Sequence, residues 1–163
     1  MSAISTSDEA VKKKTLIAGL GNILMGDEGV GAKVVEEIEK RCDLPEGVSL
    51  MDGGTAGYAL IDYFKEYDRV VIIDAVTGGG AAGTIYRLNY DDILQRPDLK
   101  LSGHQIGLPE VLLLADKLGD LPEIVLIGVE PASMDYGLAL SSDVCRVVDE
   151  AVSAVFEEIG ISP

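Results

Sequence analysis

The 163-residue chain is poor in cysteine, histidine and basic side chains, and each shortage excludes a class of protein. Its two cysteines, Cys42 and Cys145, stand far apart and in no metal-binding spacing, so neither a disulfide framework nor a redox pair is expected. Only 13 lysines and arginines oppose 28 aspartates and glutamates, which gives a net charge of −15. A surface of that sign repels phosphate backbones and anionic lipid, so nucleic acids and membrane surfaces are not expected partners.

Long apolar runs are also missing from the sequence. None approaches the roughly 18 residues that a membrane span needs, and the opening residues lack the apolar core of a signal peptide. We therefore expect a cytoplasmic protein. Residues 1–14 are polar and end in lysines, which predicts a disordered tail. No repeat or linker interrupts residues 15–160, so they are expected to form a single α/β domain.

Within that domain, short apolar runs alternate with amphipathic segments, which predicts a three-layer α/β fold. Strands are expected at 15–21, 48–52, 69–76, 84–89 and 123–130, and helices at 28–42, 57–67, 90–95, 104–119 and 141–159. The link at 77–83 is too short for a crossover helix, so the strand at 84–89 should run antiparallel to its predecessor. The prediction is a mostly parallel twisted sheet of about five strands, with one antiparallel strand and helices on both faces.

Polar residues follow these strands at their carboxyl ends, where open α/β sheets place their working sites. They are Asn22, Asp27 and Glu28 after the first strand, Asp52, Gly53, Gly54 and Thr55 after the second, Asp74 and Glu130 at the ends of two others, and the single histidine, His104. Residues 90–103 are long enough to return the chain to this edge, because fourteen extended residues span about 46–50 Å. Carboxylates gathered with an imidazole favour a divalent transition metal such as zinc or nickel.

The segment GLGNILMGDEGVG, from Gly19 to Gly31, occupies the position of a phosphate-binding loop but lacks the required spacing. A dinucleotide fingerprint needs glycine where Leu24 stands, and no Gly-Lys-Ser/Thr sequence follows. Adjacent acids at a helix start also occupy the positive end that a phosphate requires. Structural roles remain open for the acids: Asp27 fits a helix N-cap, and Asp52 fits a turn residue.

Five segments in this order, GLGNILMGDEGVG, DGGTAG, VVIIDAV, SGHQIGL and IGVEP, resemble the hydrogenase maturation endopeptidases from about Thr15 to the last helix. Members of that family recognise nickel and remove the C-terminal extension from the precursor of the nickel–iron hydrogenase large subunit. The resemblance implies a phosphorylase/hydrolase-like sheet, metal contacts from Glu28, Asp74 and His104, and catalysis by Asp27 or Glu28.

The resemblance also implies that nickel arrives with the hydrogenase large-subunit precursor, which is the expected partner, and that no organic cofactor is used. The expected substrate contacts are Asn22, Asp52, Gly53, Gly54 and Thr55. A non-catalytic nickel-sensing chaperone needs the same metal contacts and stays open as an alternative. A peptidyl-tRNA hydrolase-like enzyme shares the opening LIAGLGN, but its RNA substrate calls for a basic surface that this chain lacks.

Overall fold

The computed structural model describes residues 13–101 and 107–162, which form one six-stranded sheet covered by helices. The strands are β1 Thr15–Leu20, β2 Val48–Gly54, β3 Arg69–Thr77, β4 Ile85–Asn89, β5 Lys100–Leu101 and β6 Glu123–Val129. The helices are α1 Val30–Arg41, α2 Leu60–Phe64, α3 Tyr90–Gln95, α4 Leu108–Leu118, α5 Ser142–Cys145 and α6 Val148–Ile159, and 3-10 turns occupy Gly26–Gly29 and Gly57–Ala59. The predicted fold class is confirmed.

Five strands follow the order β2-β1-β3-β6-β4, and the two-residue β5 pairs with β3. Strands β2, β1, β3 and β6 are parallel, whereas β4 runs antiparallel to β6. The predicted direction of β4 is right, but β6 lies between β4 and its predecessor β3. The loop after β3 therefore crosses the end of β6, where Gly83 N–H donates to the carbonyl oxygen of Glu130 at 2.8 Å.

Both faces of the sheet are buried, because α1, α5 and α6 cover one face and α2, α3 and α4 cover the other. Successive side chains of β3 alternate between the two cores: Val71 and Ile73 pack in the first, Val70 and Ile72 in the second. A strand buried on both sides needs apolar residues at every position, which accounts for the unbroken VVII run.

Two glycines allow α1 to start in direct contact with the sheet. A Cβ on Gly31 would lie 2.4 Å from the carbonyl oxygen of Leu20 and 2.5 Å from that of Ile73. A Cβ on Gly19 would lie 2.4 Å from the carbonyl oxygen of Gly31. Any larger residue would push the helix away, so these glycines set the distance between the sheet and the turn that precedes α1.

The prediction of one continuous C-terminal helix at 141–159 is wrong, because this segment forms two helices, α5 and α6. Val147 leaves the helical conformation at the break, where Gly83 packs against Asp143 and Val147. Ser141 is the N-cap of α5, since its hydroxyl accepts from Val144 N–H at 3.3 Å.

At the amino-terminal side, Lys14 N–H donates to Asp68 at 2.8 Å, so the contacts of the domain begin before Thr15. Residues 1–12, which make up most of the predicted tail, lie outside the described residues. Among the helices that the structure describes, none combines the length and apolar character of a membrane span.

Candidate functional site

Four buried carboxyl groups gather at the carboxyl edge of the sheet. Asp27, Glu28, Asp74 and Glu130 are each at most 5% exposed. Burial of a carboxylate costs free energy unless hydrogen bonds or a cation compensate for the lost water. The contacts of each group therefore indicate whether it serves the fold or the chemistry of the site.

Asp27 is fully committed to hydrogen bonds with the loop that precedes α5. Its two carboxylate oxygens accept from Ala132 N–H at 2.9 Å, from Ser133 N–H at 3.1 Å, and from Ser141 N–H and hydroxyl at 2.7 and 2.8 Å. The N-cap interpretation of Asp27 is wrong: the residue lies inside the 3-10 turn, and Gly29 is the N-cap of α1. Asp27 instead joins two loops that are more than a hundred positions apart in the chain.

These hydrogen bonds also determine the charge of Asp27. Burial by itself raises the pKa of this carboxyl, but the donors from Ser141, Ser133 and Ala132 outweigh it and bring the pKa below its usual value of 3.8. Asp27 is therefore ionised at neutral pH. A weakly basic carboxylate with its oxygens already occupied is suited to holding the turn, and less suited to accepting a proton.

Gly21 lies between the backbone of Glu28 and the side chain of Asp74. Gly21 adopts φ +121°, and a Cβ on it would lie 1.9 Å from the carbonyl oxygen of Glu28 and 3.6 Å from Asp74 Oδ1. Asp74 Oδ1 also accepts from Ala75 N–H at 2.9 Å. Strand β3 continues to Thr77, one residue beyond the predicted bound, so Asp74 lies three residues before the end of the strand.

The chain returns to this edge through β5, as predicted. Leu101 pairs with Val76 and Lys100 pairs with Thr77, so β5 lies beside the end of β3, two residues past Asp74. His104, the third predicted metal contact, lies outside the described residues. Of the three, the structure describes Glu28 and Asp74, which are both buried and both lie next to Gly21.

Glu130 at the end of β6 holds the loop between β3 and β4. Its Oε2 accepts from Gly78 N–H at 2.8 Å and from the Tyr86 hydroxyl at 2.7 Å. Burial, and then the hydrogen bond to Glu130, raises the pKa of Tyr86, so the phenol remains a proton donor. Nothing in the spacing of the sequence indicated Tyr86 as a partner of this acid.

Of the predicted substrate contacts, Asn22 follows β1 and Asp52 lies near the end of β2. Gly21 N–H joins these neighbouring segments by donating to the carbonyl oxygen of Gly54 at 2.9 Å. Asn22 Oδ1 accepts from Leu24 N–H at 2.9 Å, and Asp52 Oδ1 accepts from Gly54 N–H at 3.1 Å. Each side chain shapes its own turn. Asp52 is also exposed at the rim of a groove, as is expected of a residue that contacts a substrate.

The loop at 131–141 is the part of the site that sequence reasoning missed. Its backbone N–H groups and Ser141 hold Asp27, yet only the role of Ser141 as a helix cap had a local signal. The long separation between the partners explains this, because motif spacing reports neighbours within one element and not contacts between distant loops.

Comparison with known proteins decides the family. The model of the hydrogenase maturation protease family matches residues 32–158. Over 153 residues the chain is 35% identical to the hydrogenase 2 maturation protease of Escherichia coli, an alignment that covers 91% of this chain and 93% of that protein. The chain belongs to the hydrogenase maturation protease family. It is therefore an endopeptidase, and the chaperone and peptidyl-tRNA hydrolase alternatives are set aside.

Solved structures of family members agree with this assignment. The hydrogenase maturating endopeptidase HybD from Escherichia coli superposes with a TM-score of 0.81 at 34% identity, covering 91% of this chain and 95% of that one. The [NiFe] hydrogenase maturation protease HybD from Thermococcus kodakarensis gives a TM-score of 0.74 at 26% identity, covering 89% and 98%. The family fold thus extends over about nine tenths of the chain.

Proposed function

We propose that the chain removes the C-terminal extension from the nickel-loaded precursor of a nickel–iron hydrogenase large subunit, in the cytoplasm. The observation that carries the proposal is that Glu28 and Asp74 are both buried next to Gly21, and that Asp27 fixes the turn of Glu28 to a distant loop. Family membership supports the peptidase activity. The [NiFe] hydrogenase named for the Thermococcus relative supports the class of substrate.

Nickel enters this proposal as part of the substrate. Within residues 13–101 and 107–162, no three histidine, cysteine, aspartate or glutamate side chains lie close enough to hold a metal ion. A three-residue contact built on Glu28 and Asp74 therefore needs one more group, and His104 follows β5 by three positions. Two carboxylates and an imidazole suit a divalent transition metal that the precursor presents.

Cleavage in this proposal uses Glu28 as general base. Its carboxylate takes a proton from a water molecule, the resulting hydroxide attacks the carbonyl carbon of the scissile bond, and the C–N bond breaks as the leaving nitrogen gains a proton. Asp27 is the second predicted catalytic residue, and its hydrogen bonds favour a positioning role in which it holds Glu28 in place. Asn22 and the segment Asp52–Thr55 flank the same turn and are proposed to contact the precursor.

Mass spectrometry of a purified precursor tests the proposal. Incubation of the nickel-loaded precursor with the protein should release one C-terminal peptide, while a nickel-free precursor should stay intact. Cleavage of both forms at equal rates would overturn the role of nickel. A nickel-loaded precursor that keeps its full mass would overturn the proposed function itself.

A further inference from the structure

Two loops at the carboxyl edge carry large apolar side chains that the fold leaves exposed. Tyr136 and Leu138 are 82% and 80% exposed, and Ile23 and Leu24 on the neighbouring loop are 56% and 43% exposed. We refer to these four side chains as the apolar platform. Contiguous exposed apolar patches are uncommon on monomers and typically mark surfaces that bind another molecule.

The backbone beneath the platform is fixed. Gly137 N–H donates to the carbonyl oxygen of Leu24, and Gly26 N–H donates to that of Gly137, both at 2.8 Å. Met25 and Gly137 form a parallel bridge, and the four hydrogen bonds to Asp27 join the same two loops. A surface held this way loses little conformational entropy when a partner binds.

A groove of about 470 Å³ runs beside the platform and reaches the turn that carries Glu28. Ile23 and Leu138 line it together with Val35 and Leu140, and Gly26 and Gly29 from either side of Asp27 and Glu28 form part of its wall. The groove therefore borders the turn that carries Glu28, through the two glycines that flank the acidic pair. A peptide whose scissile bond lies at Glu28 would place its adjacent residues here.

The rim of the groove is acidic. Glu39 and Asp52 are exposed there, while Lys33 is already paired with Glu37 at 3.2 Å and with Glu36 at 3.5 Å. The remaining charge is negative, in keeping with the net charge of −15 of the chain. An apolar peptide that carries a basic side chain complements both the floor and the rim.

We propose that the apolar platform and its groove bind the C-terminal extension of the precursor, and that they select an apolar segment bearing a basic side chain. This inference rests on the proposed function and adds the determinant of substrate choice. A second copy of the chain is a poorer occupant, because self-association would bring two acidic rims together on chains that are already strongly negative.

Steady-state cleavage of the nickel-loaded precursor tests the inference with a double variant, Tyr136→Ser with Leu138→Ser. Loss of the two apolar contacts should raise KM about 30- to 100-fold while kcat stays within about twofold, because these contacts hold the peptide in the ground state and transition state alike. The matched control is Leu113→Ser with Leu118→Ser, two exposed leucines on α4, which should leave KM within about twofold.

A second pair of variants tests the charge of the rim. Glu39→Lys should raise KM about three- to tenfold, with an effect that diminishes at high salt, whereas Glu66→Lys on the other face of the sheet should not. Unchanged KM in both platform and rim variants, with the wild type active, would overturn the inference and leave the proposed function standing. A change in oligomeric state of the platform variant, seen by light scattering, would assign the surface to self-association instead.

Direct binding separates this inference from the proposed function. If the wild type leaves the precursor intact, the proposed function fails, and surface plasmon resonance with immobilised nickel-loaded precursor then tests the platform alone. Binding that the platform variant loses and the α4 control keeps supports the docking surface. Equal binding by both variants, or no binding by the wild type, overturns it.

Discussion

At the amino edge of the sheet, Glu158 is bonded to the guanidinium groups of Arg69 and Arg87, whereas at the carboxyl edge Asp27 is held by backbone N–H groups and one serine hydroxyl. Both carboxylates are buried and both have a lowered pKa. The cations at the amino edge cancel the charge of Glu158. The neutral donors at the carboxyl edge stabilise Asp27 without cancelling its charge.

The difference separates a region where ion pairs join elements of the fold from a region that keeps the negative charge of Asp27. Arg69 begins β3, Arg87 lies in β4 and Glu158 ends α6, so their ion pairs join three elements. At the carboxyl edge, the retained negative charge of Asp27 adds to the field at Glu28 and Asp74. A metal ion carried by a partner would be attracted to that edge and not to the other.

The largest effect is expected from removing the acids of the carboxyl edge. Glu28→Gln should lower the rate of precursor cleavage about 10²- to 10⁴-fold, the range that a general base contributes. Asp74→Asn should lower cleavage of the nickel-loaded precursor to the level of the nickel-free precursor. Single-turnover cleavage followed by mass spectrometry measures both. Glu123→Gln at the amino edge is the matched control and should keep the wild-type rate. A Glu28→Gln variant that cleaves at the wild-type rate would disprove the carboxylate mechanism.

Loss of the ion pairs at the amino edge should affect stability instead. Glu158→Gln removes one carboxylate partner from the largely buried side chain of Arg69, although Glu123 still contacts Arg69 Nε at 3.3 Å. We expect the free energy of unfolding to fall by about 2–3 kcal/mol, somewhat less than when a buried charge loses its only partner. Urea denaturation at pH 7 measures the change. The control is Asp149→Asn, which lies on α6 like Glu158 and removes an exposed partner of Arg41. It should cost under about 1 kcal/mol.

Glu158→Gln should also change how stability depends on pH. The hydrogen bond from Arg87 outweighs burial and, together with Arg69, lowers the pKa of Glu158 below its usual value of 4.5. Glu158 therefore stabilises the folded state above pH 4.5, and this contribution is lost as the pH falls through the lowered folded-state pKa. Denaturation between pH 7 and pH 3 should show a smaller loss of stability for Glu158→Gln than for the wild type. Parallel curves for the two proteins would contradict the assignment.

A smaller loss of stability is expected at Asp27. In Asp27→Asn one oxygen becomes an NH₂ group that faces backbone donors, so we expect a cost of about 2 kcal/mol. The amide hydrogens of Ser133 and Ser141 should also exchange faster with solvent. Ser141→Ala is the control: it keeps the backbone donor, loses the hydroxyl and the cap of α5, and should cost about 1 kcal/mol. Unchanged exchange at Ser133 would show that Asp27 does not hold the loop.

The smallest effect should come from Tyr86→Phe, which removes one of the two donors to Glu130. Gly78 N–H remains, so the expected loss is about 1 kcal/mol, and the rate of precursor cleavage should stay within about twofold. Thermal denaturation measures the stability. Tyr58→Phe, at an exposed position on the 3-10 turn before α2, should leave the stability unchanged. A large loss of activity in Tyr86→Phe would move Glu130 into the proposed site.

Features with a local signal were predictable from the sequence. The apolar runs located the strands, and Asn89 with Asp92 forms the capping box that begins α3 within its predicted bounds. The position of acids at strand ends located the carboxyl edge, since parallel strands all end there. Asp74 and Glu28 are together for that reason. Their role as metal contacts came from the resemblance to a family and remains a prediction.

Features that depend on distant pairing could not be predicted in this way. Nothing in the residues at 84–89 showed that β6 would lie between β3 and β4, because a strand pairs with whichever edge the rest of the chain leaves available. The hydrogen bonds of Asp27 span 105 to 114 positions, so its local sequence suggested a helix cap instead.

The hydrogen bonds between Asp27 and Ser141 also determine when the carboxyl edge is completed during synthesis of the chain. A ribosome synthesises Asp27 and Glu28 early, but the donors that hold Asp27 follow 105 to 114 residues later. Until that loop has left the ribosome, the turn lacks its anchor and the apolar platform lacks Tyr136 and Leu138. The carboxyl edge of the sheet is therefore completed late in the synthesis of the chain, and a truncated chain that ends before the loop carries Asp27 and Glu28 without the hydrogen bonds that hold their turn.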